Sequence, residues 1–345
     1  MSRRVFGWAV ASLLMVSSIS VALAEESTVP NNGLVLSGQS DPAEYCPGPC
    51  PTSRWEAKLG FVYLQRSGLP SQELARGLGS APQPFLDADQ FSFDFEGGPD
   101  LTIVRHGDDS DIEFRWFQVH DSIAKTPTIG RDSTGFGFPF RVLLGVPGSE
   151  DGIDLSAGYR SQMSSFELNL KRPIGDWISV FGGFRFVELN ELLSYSSTPV
   201  GGEPLPMFVR SFNDLYGFQL GSDIMLLDRG GPFKLVATGK AGIYANYARN
   251  QADQGVMDSD DVDSASTCEG AFLGEIGLNC TYQITPRLAA RVGYEVMWIN
   301  GVALASQQQP RLVPVQEEHV HGSPSVAAEG TAFYHGVAAG LDFRF

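Results

Sequence analysis

The sequence has little charge, few cysteines and no long apolar run beyond its first residues. Charged residues make up 19% of the 345, below the roughly 25% usual for soluble domains, and together with 39 Gly and 23 Phe this excludes a coiled coil or a disordered chain. Basic residues number 24 against 40 acidic ones, a net charge of −16 with no Lys/Arg run. Nucleic-acid binding needs a basic footprint, and none is present. No zinc-spaced Cys/His cluster and no G-x-S-x-G elbow occurs, so no metal, cofactor or catalytic residue is assigned. After the first 24 residues no stretch reaches the 18 apolar residues that a membrane-crossing helix needs.

At the start, Arg3 and Arg4 precede an apolar stretch from Val5 to Leu23 that closes on Ala22-Leu23-Ala24 and is followed by Glu25-Glu26. This predicts an export signal over 1–24, cleaved after Ala24. Residues 25–53, rich in Pro, Gly and Ser, are expected to form a flexible periplasmic leader. A chain exported without a helical anchor is either soluble outside the inner membrane or spans an outer membrane as a closed β-barrel.

Strand patterning favours the barrel. Apolar residues alternate with polar ones at Trp55, Ala57, Leu59, Phe61 and Tyr63, and at Ile112, Phe114 and Trp116. Longer alternations run through Phe233, Leu235, Ala237, Ala241 and Ile243, and through Leu288, Ala290, Val292, Tyr294, Val296 and Trp298. Period two marks a strand with two unlike faces. These runs match the roughly 9–11 residues that a tilted strand needs to cross hydrocarbon. Short turns near 107–110, 173–176, 228–232 and 284–286 alternate with long polar connections near 66–88, 121–152, 193–210, 250–266 and 304–330.

The resulting expectation is all-β: an antiparallel transmembrane β-barrel over 54–345 with about ten strands, range eight to twelve, short periplasmic turns and long extracellular loops. The predicted strands are 54–65, 89–106, 110–120, 153–172, 176–192, 211–227, 232–249, 267–283, 287–303 and 331–345. A further strand from Gly135 to Val146 would raise the count. In 153–172, Ile153, Leu155, Ala157 and Tyr159 lie on the opposite parity from Phe166, Leu168 and Leu170. A bulge or a hidden hairpin would correct the phase.

The last strand alternates through Phe333, His335, Val337, Ala339, Leu341, Phe343 and Phe345. Leu341, Phe343 and Phe345 are the expected signal for the barrel-insertion machinery. A soluble edge strand this apolar would invite aggregation.

Three stretches carry a resemblance to a known family: Val180 to Glu191 (VFGGFRFVELNE), Asn213 to Gly221 (NDLYGFQLG) and Gly293 to Trp298 (GYEVMW). Over about residues 54–345 the chain resembles the β-barrel outer-membrane porins abundant in planctomycetes and distantly related to other bacterial porins. That resemblance implies an outer-membrane barrel with an inferred transport role. Asn213, Gln219 and Gly221 match recurrent positions of its pattern, and it brings no catalytic residue.

In this phase the inward bases are Lys58, Arg115, Lys171, Arg185, Lys234, Lys240, Arg291 and Arg344; the inward acids are Glu56, Asp94, Glu96, Glu113, Glu167, Asp223, Glu275, Glu295 and Asp342. An isolated buried charge costs several kcal/mol, so these groups must be wet or paired. They line a water-filled pore or lock into a salt-bridge plug. Ten strands lie near the narrow end of the barrel range. Arg185, Arg291, Glu275, Glu295, Lys240 and Arg115 are the pore-lining residues expected to set selectivity, tilted toward cations by the net charge.

Other clusters read more plainly. Asp258-Ser259-Asp260-Asp261-Val262-Asp263 lacks the EF-hand spacing and reads as a solvated loop tip. Glu317-Glu318-His319-Val320-His321 reads as an exposed polar run. Five scattered His, at 106, 120, 319, 321 and 335, offer no obvious base for a Ser nucleophile. Cys46 and Cys50 suit a small oxidised loop. Cys268 and Cys280 lie on one proposed strand, too far apart to bridge.

The expectation is therefore a protein of the cell outer membrane that passes ions or small solutes through a narrow charged lumen. Its expected partners are outer-membrane lipids, the insertion machinery and those solutes, with a possible homo-oligomer. The alternative is a non-conducting structural or adhesion barrel acting through its surface loops. A secreted soluble β-protein and a membrane hydrolase rank below both.

Overall fold

A computed structural model describes residues 54–77, 84–125, 129–132, 136–138, 141–142, 153–199, 204–253, 263–308 and 326–345. The predicted signal and leader, the Cys46/Cys50 pair, the His319/His321 run and most of the acidic tip lie outside them.

Ten long strands close on themselves: β1 (Trp55–Arg66), β4 (Phe95–Arg105), β5 (Asp111–Lys125), β9 (Ile153–Pro173), β10 (Ile178–Pro199), β11 (Leu205–Asp228), β12 (Phe233–Asp253), β13 (Asp263–Thr285), β14 (Leu288–Val302) and β15 (Gly330–Arg344). Each pairs antiparallel with its sequence neighbour in the wall. Closure comes from β15 on β1, where Glu56 opposes Arg344 and Arg66 opposes Tyr334. Backbone bonds between Trp55 and Phe345, 3.0 and 3.1 Å, finish that seam. Full closure leaves no exposed ladder edge, the condition for a sheet in hydrocarbon.

The small strands β2 (Glu73–Gly77), β3 (Pro84–Asp87), β7 (Phe136–Phe138) and β8 (Arg141–Val142) form a separate sheet, and β6 (Ile129–Asp132) extends the wall beside β9. The alternative strand from Gly135 to Val146 does not join the wall: its described residues, 136–138 and 141–142, are β7 and β8 of the separate sheet.

Outside, the wall is apolar. Phe61, Phe218, Leu220 and Ile243 are each 70–75% exposed. So continuous a surface suits hydrocarbon and not water. Aromatic side chains border it: Trp55, Trp177, Phe233, Tyr282 and Phe343 toward the short turns, and Tyr63, Phe95, Phe272, Tyr294 and Phe333 toward the long loops. On β13, Phe272 and Tyr282 are ten residues apart, about 33 Å of strand and about 25 Å of height after tilt, the thickness of an outer-membrane apolar band.

The wall is uneven. Strands β9 to β13 have 21 to 24 residues, whereas β1, β4, β5, β14 and β15 have 11 to 15. The tall side rises past the aromatic border into a region where outward positions turn polar, as at Arg160, Ser164, Asn190, Asp214 and Arg249. Inward positions there turn apolar: Ala157, Tyr159, Met163, Leu189, Leu193, Met207 and Val209 are buried.

This exchange accounts for the awkward parity of β9, and it corrects the expected phase repair. The β9 register against β10 is unbroken from Ile153 to Pro173. Tyr159, Ser161, Met163, Ser165 and Glu167 all face inward. The bulge of this region lies on the neighbouring β5, between Val119 and Ser122. What changes along β9 is the outer solvent, hydrocarbon beside Phe166, Leu168 and Leu170 and water beside Arg160, so the apolar face swaps sides without a break in the strand.

Candidate functional site

The lower half of the lumen, toward the short turns, is a charged network. Arg115 on β5 contacts Asp100 at 3.1 Å, Glu275 at 3.2 Å and both Glu295 oxygens at 2.9 Å. Arg185 on β10 reaches Glu275 at 2.8 Å and Glu167 at 3.5 Å, and its Nε donates to Ser165 at 2.9 Å. Lys240 on β12 bridges Glu167 at 3.1 Å and Glu275 at 2.9 Å. Arg291 joins Asp100 at 3.5 Å and Asp342 at 3.3 Å. Four cations and five carboxylates from eight strands thus share one chain of contacts across the barrel. Gln219 and Asn169 supply neutral donors to Glu167.

Burial makes this cluster demanding. Arg185 is 0% exposed and Glu167 1%. Buried pairs offset their desolvation only when geometry is good and the spare lone pairs are met, and here Asp100, Glu167 and Glu275 each have two or more donors and Glu295 a bidentate contact. Exposure rises toward the short turns, where Lys171 bridges Glu113 at 3.0 Å and Asp223 at 2.7 Å. A cavity of about 200 Å³ opens there among Lys58, Lys171, Asp223, Arg291 and Asp342.

The upper half is packed shut. Val62, Leu64, Phe117, Val187, Leu189, Leu215, Leu273, Met297 and Ile299 interdigitate directly above the charges. Over them the chain between β1 and β4 folds into the mouth, burying Leu69, Leu74, Leu86, Phe91 and Phe93 against Tyr159, Leu193 and Tyr195. Each such burial contributes about 1.5–3 kcal/mol. Asp87 ties this loop together, accepting from Ser71 at 3.0 Å, Gln72 at 2.8 Å and Asp89 at 3.1 Å. Burial raises its carboxyl, but the backbone N–H groups of Asp89 and Gln72 and the Ser71 hydroxyl outweigh that and hold it below the usual aspartate value.

The chain after β14 also enters the lumen. Gly301, at φ +85°, turns it inward, a conformation open to glycine without strain. Ala303, Leu304 and Ala305 then lie fully inside. Asn213 clasps Ala303, Asn246 donates to the Gly301 carbonyl at 2.8 Å, and Glu191 accepts from the Ala305 N–H at 3.0 Å. Glu191 also pairs with Arg66 and accepts from the Tyr159 hydroxyl. The Arg66 guanidinium lies over the Phe93 ring at 4.8 Å.

All six residues singled out as lumen-lining, Arg115, Arg185, Lys240, Glu275, Glu295 and Arg291, face inward and belong to one network. Glu56, Lys58, Glu113, Glu167, Lys171, Asp223 and Asp342 also face the lumen side. Three expectations shift. Asp94 precedes β4 and is exposed, and Lys234 and Arg344 sit half-exposed at the short-turn rim, because the wall ends there. Leu341, Phe343 and Phe345 face outward at the closing seam. Sequence reasoning missed the Arg66–Glu191 pair and the inward loops. Arg66 ends an otherwise apolar inward row, Val62 and Leu64, a position where only a buried partner suits a cation.

His335 hydrogen-bonds the Tyr294 hydroxyl at 2.8 Å and packs beside Phe95 and Phe333, as part of the aromatic border. Cys268 and Cys280 share β13 and are both free.

No family model matches the chain, and no curated protein does. Among solved structures, it is similar to the outer-membrane protease OmpT from Escherichia coli at 9% identity and a TM-score of 0.47, covering 86% of this chain and 98% of that one. The translocator domain of the autotransporter NalP from Neisseria meningitidis matches at 11% identity and a TM-score of 0.41, over 85% and 89% of the two chains. The P. putida toluene transporter TodX matches at 10% and 0.33, over 86% and 91%.

Proposed function

We propose that this protein is a non-enzymatic barrel of the outer membrane whose lumen is shut in its resting state, and which acts through the surface it raises beyond the membrane. The observation that carries this reading is the continuous filling of the lumen. Paired charges, Arg185 and Glu167 among them, give way directly to buried Val187 and Leu189, and then to Leu304. A diffusion pore needs water along its length, and ten strands leave room for little. The terminal strand, with Leu341, Phe343 and Phe345 outward, serves as the insertion signal, and lipids surround the apolar band. The resemblance to planctomycete porins supports the membrane setting.

One observation favours the second reading, passage of ions or small solutes. The cavity beside Lys58, Lys171 and Asp223 makes a vestibule at the periplasmic end, and two of the layers above it, the segments before β4 and after β14, are inward loops and not wall. Conduction would then require both segments to withdraw and the apolar side chains beneath them to part.

Planar-bilayer recording on the exported full-length chain separates the two, after its folding has been verified by gel mobility without boiling. Silence is expected. Discrete steps whose selectivity changes on Arg291→Gln or Glu295→Gln would replace the closed-barrel reading with the porin-like one.

A further inference from the structure

The outer wall carries a cleft of about 570 Å³ near the short-turn rim, between β9, β10 and β11. Gly182 on β10 faces outward and forms its floor. Leu170, Val180 and Leu220 rise around it, exposed by 57%, 36% and 74%. At its short-turn edge stand Arg172 and, from the β4–β5 turn, Asp109. Trp177, 60% exposed in the next turn, puts this edge at the level where amphipathic rings meet headgroups. Neither Arg172 nor Asp109 has an ion-pair partner among the described residues, and the two do not pair with each other.

An apolar trough that ends in one cation and one anion has the shape and charge order of a zwitterionic phospholipid. We propose that the cleft is a specific site for phosphatidylethanolamine: an acyl chain lies over Gly182 between Leu170 and Leu220, the phosphate pairs with Arg172, and the ammonium meets Asp109. A guanidinium suits phosphate through two parallel hydrogen bonds. An anionic lipid without the ammonium would leave Asp109 unanswered and facing the same phosphate. The volume lies within the range that holds small ligands. The proposal rests on the membrane-barrel reading, since the cleft is a lipid site only if this band faces hydrocarbon.

Native mass spectrometry of the detergent-extracted full-length barrel, titrated with phosphatidylethanolamine or phosphatidylglycerol, tests it. One phosphatidylethanolamine is expected to survive activation, preferred over phosphatidylglycerol. Arg172→Gln should weaken it about tenfold, the loss of a charge-assisted contact. Gly182→Leu should abolish it by filling the floor. A Cβ at Gly182 comes close to the tip of Leu220 at 3.0 Å, which can swing aside, and lies at ordinary contact distance, 3.6 Å, from the Gln219 carbonyl, so this variant is expected to fold. Heat-modifiable gel mobility reports folding in each variant, and its loss in the wild type would overturn the membrane reading instead. Equal retention of both lipids, or retention unchanged in both folded variants, overturns the site, as does a wild-type dimer whose formation excludes lipid from the cleft.

Discussion

Asn213 holds Ala303 as a neighbouring strand would. Its Nδ2 donates to the Ala303 carbonyl at 2.9 Å and its Oδ1 accepts from the Ala303 N–H at 2.6 Å. One side chain thus satisfies both backbone groups of a residue buried in the barrel, a role that leaves no room for an unmatched donor or acceptor.

Asn213→Ala strands two buried backbone groups, each costing about 1–3 kcal/mol. The expected result is a barrel that keeps its gel shift but unfolds at lower urea. A cysteine placed at Leu304 should become far more reactive in that background, and equal reactivity in both backgrounds would contradict the clasp.

Arg185→Met removes one member of the central network and leaves Glu167 and Glu275 short of a cation. The expected loss is about 3–5 kcal/mol, read from equilibrium unfolding in lipid or detergent. Adding Glu275→Gln should recover part of it, giving a coupling of about 1–3 kcal/mol in a double-mutant cycle. Strict additivity would mean that the two side chains do not share their energy.

The ten-strand wall was legible because period two survives wherever the faces differ, and the short turns mark one end clearly. The long-loop ends were not. Strand β10 continues to Pro199, well past the predicted end at 192, through Leu193 and Tyr195, because inward apolar residues resume there with water outside. The lining residues could be read from parity alone, but whether they pair or stay wet depends on partners from strands far apart in sequence: Arg115 meets Glu295 across 180 positions. The Arg66–Glu191 pair was hidden for the same reason.

Cys268 lies beyond Phe272, where the wall has left the membrane band, whereas Cys280 lies within it. A membrane-impermeant maleimide added outside intact cells should modify Cys268 and spare Cys280. Protection of Cys268 until the outer membrane is permeabilised would invert the assigned orientation.

Asp87 is held ionised by three donors, and its carboxyl is depressed. A depressed group contributes stability above its unfolded value, and that contribution fades as pH falls through the folded one. Protease cleavage between Ser67 and Asp94 should therefore rise as pH drops below about 4, and Asp87→Asn should show the faster cleavage already at neutral pH. A cleavage rate flat across that range would remove Asp87 from the loop's anchoring.

The swap of faces along β9 to β12 also bears on register. In a barrel with one solvent outside, a one-residue slip turns every side chain the wrong way against a single boundary. Here the same slip would push Glu167 and Arg185 into lipid while turning Tyr159 and Leu189 out to water. The two errors occur at opposite ends of one strand and share no remedy, so these strands are held in phase by two independent checks, one for each medium they cross.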